Sequence, residues 1–148
     1  MSLQPQPAYP IPDETRRVAH AAFPKGSLCL RLVEVLGQLY LDDGVVGGER
    51  ILPEGWVDYS ALLTPGSETY GYGAGFWTNR GTTGGAAKRI ALGMPLDSFM
   101  ARGTQRQYIV IVPSARRVVV RLGMAHDRYE DIDGVARLIA DAIAAEAK

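Results

Sequence analysis

The 148-residue chain carries 16 Lys and Arg against 16 Asp and Glu, and 47% of its residues are hydrophobic. That balance excludes both the basic excess of an electrostatic nucleic-acid binder and the low hydrophobicity of a disordered chain. A single cysteine, Cys29, excludes an internal disulfide, and with no CxxC or clustered Cys/His set neither a metal nor a cofactor is expected.

Residues 1–26 hold Pro5, Pro7, Pro10, Pro12 and Pro24 without sustained periodicity, which reads as an extended arm ahead of a domain over residues 27–148. The N-terminus has neither the basic nor the apolar region of a signal peptide. The longest apolar segment, Leu28 to Leu41, is interrupted by Arg31, Glu34 and Gln38 and is too short for a bilayer. The expectation for the chain as given is therefore a cytoplasmic protein with no membrane span.

A helix is expected from Ser27, with Leu28, Leu32, Val35, Leu36 and Leu39 on one apolar face and Asp42-Asp43-Gly44 ending it. Cys29 lies within it and reads as a small buried hydrophobe. In "ILPEGWVDYSALL", Pro53 suits a first helical turn, and Trp56, Tyr59 and Leu63 are spaced to meet one surface. "TYGYGAGFW" alternates glycine with aromatic residues, as in a strand with one nearly bare face open to a backbone or a ligand. Residues 80–96 read as a flexible loop. Its "GTTGGAAK" lacks phosphate-loop spacing, and no Ser or Thr follows Lys88.

Next comes an expected hairpin: a strand from Phe99 to Val112, a turn at Pro113-Ser114-Ala115-Arg116, and a strand from Arg117 to Leu122. Because "YIVIV" and "VVV" are apolar on both alternating faces, the sheet must be covered on both sides. The C-terminal helix supplies one cover through Ile132, Val135, Ile139 and Ile143, after a capping-box-like Asp127 to Glu130. The fold class is α+β, an antiparallel sheet flanked by helices.

The order "GQLYLDDGVVGGERILPEGWV", "YGYGAGFW", "SFMARGTQRQYIVIVP" and "VVVRLG" before a terminal helix resembles the C-terminal part of the serine β-lactamase-related hydrolases. The nearest group is that of class C β-lactamases, family VIII esterases and 6-aminohexanoate-dimer hydrolases. The resemblance spans roughly residues 36–147 and implies a partial β-lactamase/transpeptidase-like fold. It also implies acyl transfer: a serine attacks an amide or ester carbonyl, a lysine and a tyrosine move the proton, and backbone N–H groups hold the oxyanion. The element lining the cleft corresponds to Gly103-Thr104-Gln105-Arg106-Gln107. By resemblance, Gly103 and the N–H of Thr104 form the oxyanion side, and Gln105 and Gln107 contact substrate or hold the strand. Arg102 and Arg106 stand beside the cleft, where their positive field favours a carboxylate-bearing substrate.

The departures are specific. No S-x-x-K occurs: Ser2, Ser27, Ser60, Ser67, Ser98 and Ser114 are followed three positions on by Pro5, Leu30, Leu63, Tyr70, Ala101 and Arg117. A guanidinium cannot act as the neutral base that a lysine amine becomes. No Y-x-N or S-x-N is present, Arg106 stands where relatives carry glycine, and "LCLRLVEV" replaces their usual helix start. His20 and His126 read as surface or structural, and Asp97 and Asp127 do not make an acid/base pair. The expectation is a fragment or reduced relative of a serine hydrolase, inactive alone, whose partners are a small amide or ester substrate and a complementing N-terminal half. The competing expectation is a non-catalytic module that pairs, for instance as a homodimer, through an exposed Val118-Val119-Val120 edge.

Overall fold

The computed structural model describes residues 28–81, 84–123 and 130–146, and the expected arm at 1–26 lies outside them. Strand β5 (Tyr108–Val112) is the centre, because all five of its residues are buried. It pairs antiparallel with β4 (Phe99–Arg102) on one side and β6 (Arg117–Arg121) on the other, and β3 (Trp77–Thr78) completes a four-stranded meander beyond β4. Helix α1 (Leu28–Leu41) packs over β5 and β6 on one face. There Phe99, Ile109, Ile111, Val118 and Val120 form a core with Leu41 and with Val57 and Ala61 of α2 (Trp56–Ala61). On the opposite face Met100, Tyr108, Val110, Val112 and Val119 meet Met94, which follows α3 (Gly84–Ala91), and Val135, Ala136 and Ile139 of α4 (Glu130–Glu146). The α+β class is therefore shown, with helices on both sides of an antiparallel sheet. A two-stranded ribbon, β1 (Val45–Val46) with β2 (Glu49–Arg50), follows α1.

Three expectations hold in detail. Helix α1 ends at Leu41 and turns through Asp43 and Gly44, both at positive φ. The turn after β5 is Pro113–Arg116, where Arg116 donates to the Leu41 carbonyl (3.0 Å) and pairs with Asp42 (2.7 Å), fastening α1 to the sheet. The α4 stripe also faces the core as spaced, with Ile132 and Ile143 partly buried beside Val135 and Ile139.

Other elements depart from expectation. The strand read from Phe99 to Val112 is two strands, β4 and β5, folded back on each other through residues 103–107. "TYGYGAGFW" forms turns, with one isolated bridge between Tyr72 and Trp77 and strand β3 beginning at Trp77. Gly71 and Gly73 accommodate the protein's own backbone: a Cβ on Gly73 would lie 2.5 Å from both the Ser60 and Leu62 carbonyl oxygens. The loop read at 80–96 contains α3, for which Ala86 to Ala91 supply good helix formers. Helix α2 begins at Trp56 after a left-handed Gly55, so Pro53 precedes the helix.

The largest correction concerns which helix faces are buried. The apolar face of α1 turns outward: Leu32 is 62% exposed, and Val35 and Leu36 are exposed beside it. Val33, Tyr40 and Leu41 face the sheet instead, around Gly37. A glycine here lets the helix backbone approach the sheet closely, and a Cβ added at Gly37 would collide with Val118 Cγ1. Trp56 and Tyr59 of α2 are likewise exposed, their rings 5.8 Å apart, while Val57, Ser60 and Ala61 face inward.

Gly37→Ala is expected to lower stability by about 1–3 kcal/mol, the usual cost of overpacking a filled core. The check is a urea unfolding curve, with the midpoint reduced and its slope unchanged.

Candidate functional site

The β4–β5 loop gathers Arg102 to Gln107, the residues that the resemblance assigned to the oxyanion and substrate side. Arg102 ends β4, Gly103 to Gln107 make the reversal, and β5 begins at Tyr108. The loop is closed by the Gly103 N–H donating to the Gln107 carbonyl at 2.8 Å. A tight turn, Thr104–Arg106, fills it. Gln105 (φ 57°) and Arg106 (φ 65°) both adopt the left-handed conformation that glycine takes without cost.

Gly103, Thr104, Gln105 and Gln107 are exposed and Arg106 is half-buried. A Cβ on Gly103 would meet nothing nearer than Gln107 Cβ at 3.7 Å, so packing within the described residues does not require glycine there. Arg121 of β6 braces the loop by donating to the Arg106 carbonyl at 2.6 Å. The expected placement on a continuous cleft-edge strand is thus corrected: Thr104 sits in a hairpin loop at the end of the sheet.

Beneath the loop a polar row crosses the sheet, with Arg102 opposite Tyr108 and Tyr108 opposite Arg121. The Arg102 guanidinium lies 5.8 Å from the Tyr108 ring centre and 5.9 Å from that of Trp77, within range of cation–π attraction. Arg89 of α3 stands on the same side and is only 7% exposed. It donates to Asn79 Oδ1 (2.7 Å), to the Thr78 carbonyl (2.7 Å) and, at 3.5 Å, to the Gly71 carbonyl. Burial, and then the Arg102 charge, push its pKa below the ordinary arginine value. Arg89 therefore ties α3 to the turn at Gly71 and to the end of β3. Arg89 and Asn79 escaped the sequence reading, because "AAKRIA" shows no sign that its arginine points inward.

The other candidates lie apart from this loop. Ser98 is fully buried just before β4, and its hydroxyl finds no hydrogen-bond partner among the described residues. Ser114 is at the far end of β5, where its hydroxyl and N–H donate to the two Asp97 carboxylate oxygens at 2.9 and 2.6 Å. Asp97 and Ser114 thus staple a turn. Lys88 pairs with Asp133 of α4 at 3.4 Å. Cys29 lies on the α1 backbone, but its side chain is outside the described set, as are His20, His126 and Asp127. Among the described residues no three His, Cys, Asp or Glu side chains converge as a metal site, and no helix is long and apolar enough to cross a membrane.

Chemically, the loop presents backbone and amide groups and two guanidinium cations, which suit binding and charge stabilisation. The serines described near the sheet are buried or committed elsewhere. The sequence matches no protein-family model and no curated protein.

Two stability measurements check this geometry. Gln105→Val is expected to cost about 1–2 kcal/mol, because a β-branched side chain resists the left-handed conformation, while Gln105→Gly is neutral or slightly stabilising. Arg89→Met is expected to cost roughly 2 kcal/mol by orphaning buried acceptors, against under about 1 kcal/mol for Lys88→Met at its surface ion pair. Thermal unfolding of the four variants reads both contrasts.

Proposed function

We propose that this chain is the sheet half of a β-lactamase-related serine hydrolase body, supplying the wall beside the reacting carbonyl and lacking the nucleophile. The observation that carries this reading is α1, whose residues are apolar on both sides while a described layer covers only one. A helix with a second apolar face, beside the polar Glu34 and Gln38, has surface left for a further layer. Here Gly37, Tyr40 and Leu41 meet the sheet, and Leu32, Val35 and Leu36 await a second layer. The exposed Trp56, Tyr59 and Leu62 extend the apolar surface presented by α2 and the turn after it.

In this role the Gly103–Gln107 loop offers main-chain donors to an oxyanion, and Arg102 and Arg106 favour a substrate bearing a carboxylate. The nucleophile, its lysine and its tyrosine come from the complementing half. A second reading, an assembly module without chemistry, is favoured by β6, whose outer edge is paired to no described strand.

The chain alone is expected to hydrolyse neither a chromogenic cephalosporin nor a short-chain nitrophenyl ester above the buffer rate. Turnover that a serine-directed phosphonate abolishes would overturn the proposal, and Ser98 and Ser114 would then be the first substitutions to make.

A further inference from the structure

Helix α2 carries its two largest side chains on the outside. Val57, Ser60 and Ala61 face the core, so Trp56 and Tyr59, about one helical turn apart, share the opposite side. They are 43% and 60% exposed, and their ring centres lie 5.8 Å apart with the planes tilted by 40°. The support beneath them is fixed: the Ser60 hydroxyl donates to the Trp56 carbonyl at 2.8 Å, and the Ser60 and Leu62 carbonyls rest on Gly73, where no side chain fits. Ile51 and Leu62, each 55% exposed, flank the pair in the chain. Rigid aromatic rings open to solvent suit binding, because they offer a large contact area and lose little rotamer freedom when covered.

The charges beside the rings select the partner. Asp58, between the two aromatic residues in sequence, pairs with Arg80 at 2.9 Å, and Arg50 pairs with Asp43 at 3.2 Å, so Arg80 and Arg50 are already engaged. Glu49 and Glu54 are exposed and have no ion pair among the described residues. The charge left over along residues 49–62 is therefore negative. A second copy would bring the same two carboxylates, whereas a cation is attracted both by them and by the negative faces of the rings. Guanidinium suits the surface better than ammonium, since it is planar, stacks on an aromatic face and keeps its N–H groups for a carboxylate.

We propose that the outer side of α2 docks a segment of another polypeptide in which an arginine is flanked by apolar residues. The guanidinium takes the Trp56 and Tyr59 rings as its platform and Glu49 and Glu54 as its counter-charges, and the apolar neighbours cover Ile51 and Leu62. This goes beyond the hydrolase reading, since it concerns α2 and needs neither a nucleophile nor an oxyanion donor. Gaining a cation–π contact at an exposed site, and replacing charge repulsion by attraction, corresponds to about fivefold in affinity.

The test follows the backbone amide and Trp indole signals of the full, nitrogen-labelled chain by NMR as three peptides are added: acetyl-Thr-Leu-Arg-Leu-Thr-amide and its counterparts with Lys or Glu for Arg. The Arg peptide is expected to shift the signals of residues 54–62 and to bind about fivefold tighter than the Glu peptide, with the Lys peptide between them. Trp56→Leu with Tyr59→Leu keeps the surface apolar and is expected to abolish the preference for Arg over Lys. Glu49→Gln with Glu54→Gln is expected to narrow the gap between Arg and Glu. Should circular dichroism show the ring variant unfolded, the Gln variant decides, and an unchanged gap there would overturn the proposal. So would equal affinity for the Arg and Glu peptides, binding of none of the three, or shifts confined to other residues. Rings already covered in the free chain, by a second copy or by another segment of the same chain, would also overturn it. That is read as concentration-dependent shifts at 54–62, or as Trp56 fluorescence shielded from acrylamide in a Trp77→Phe background.

Discussion

Strand β5 has no face to spare. Tyr108, Val110 and Val112 belong to one core and Ile109 and Ile111 to the other, and every one of these residues is buried. Burying a large aliphatic side chain yields about 1.5–3 kcal/mol, so leaving either face uncovered would forfeit several such contributions at once. Two covering layers are consequently obligatory, and the remaining elements are arranged to provide them. Helix α1 is drawn down by the absence of a side chain at Gly37 and held at its end by Arg116 and Asp42. Helices α3 and α4 close the other face, joined through Lys88 and Asp133. The loop at 103–107 inherits its place from the same strand, because Tyr108 fixes Arg102 across from it and Arg121 beyond it.

Much of this was legible in the chain itself. Apolar residues on both alternating faces of "YIVIV" and "VVV" required a sheet covered twice, and the stripe on α4 identified one of the covers. What was not legible was which face of α1 meets the sheet. Hydrophobic periodicity ranks faces by size and therefore selected Leu32, Val35 and Leu36. Close helix–sheet contact rewards the smallest surface, and it selected the face containing Gly37. The same substitution of closeness for oiliness explains "YGYGAG": alternation suggested a strand, whereas Gly73 is needed where the chain crosses the Ser60 and Leu62 carbonyls. Arg89 was hidden for a related reason, since its acceptors lie on segments distant in sequence.

The candidate site was legible as a set of residues but not as a shape. Arg102 to Gln107 stood out as the polar interruption of an apolar run, and the structure brings them together. The reversal was concealed because a tight loop usually announces its left-handed positions with glycine or asparagine. Here those positions are Gln105 and Arg106. Their conformation is maintained by contacts around them: the Gly103 to Gln107 closure and the Arg121 brace both act on the loop backbone. Backbone strain held by its surroundings at an exposed, cationic loop is consistent with a surface shaped for binding.

Under the proposed function, the missing chemistry and the missing cover have one origin. Acyl transfer needs a nucleophile, a base and oxyanion donors converging on one carbonyl. The described residues supply donors and cations from one direction, and their serines serve the core or a turn. The surfaces left open among the described residues, the outer face of α1 and the outer edge of β6, are those onto which a further layer and a further strand would fit. Neither is needed to bury β5, so the sheet and its two covers can hold together without them. Folding is then secured by contacts within the chain, while reactivity depends on contacts left at its surface. A partner that binds only the folded chain would stabilise it by mass action as well as complete its site, linking assembly to activity without any change in the sheet.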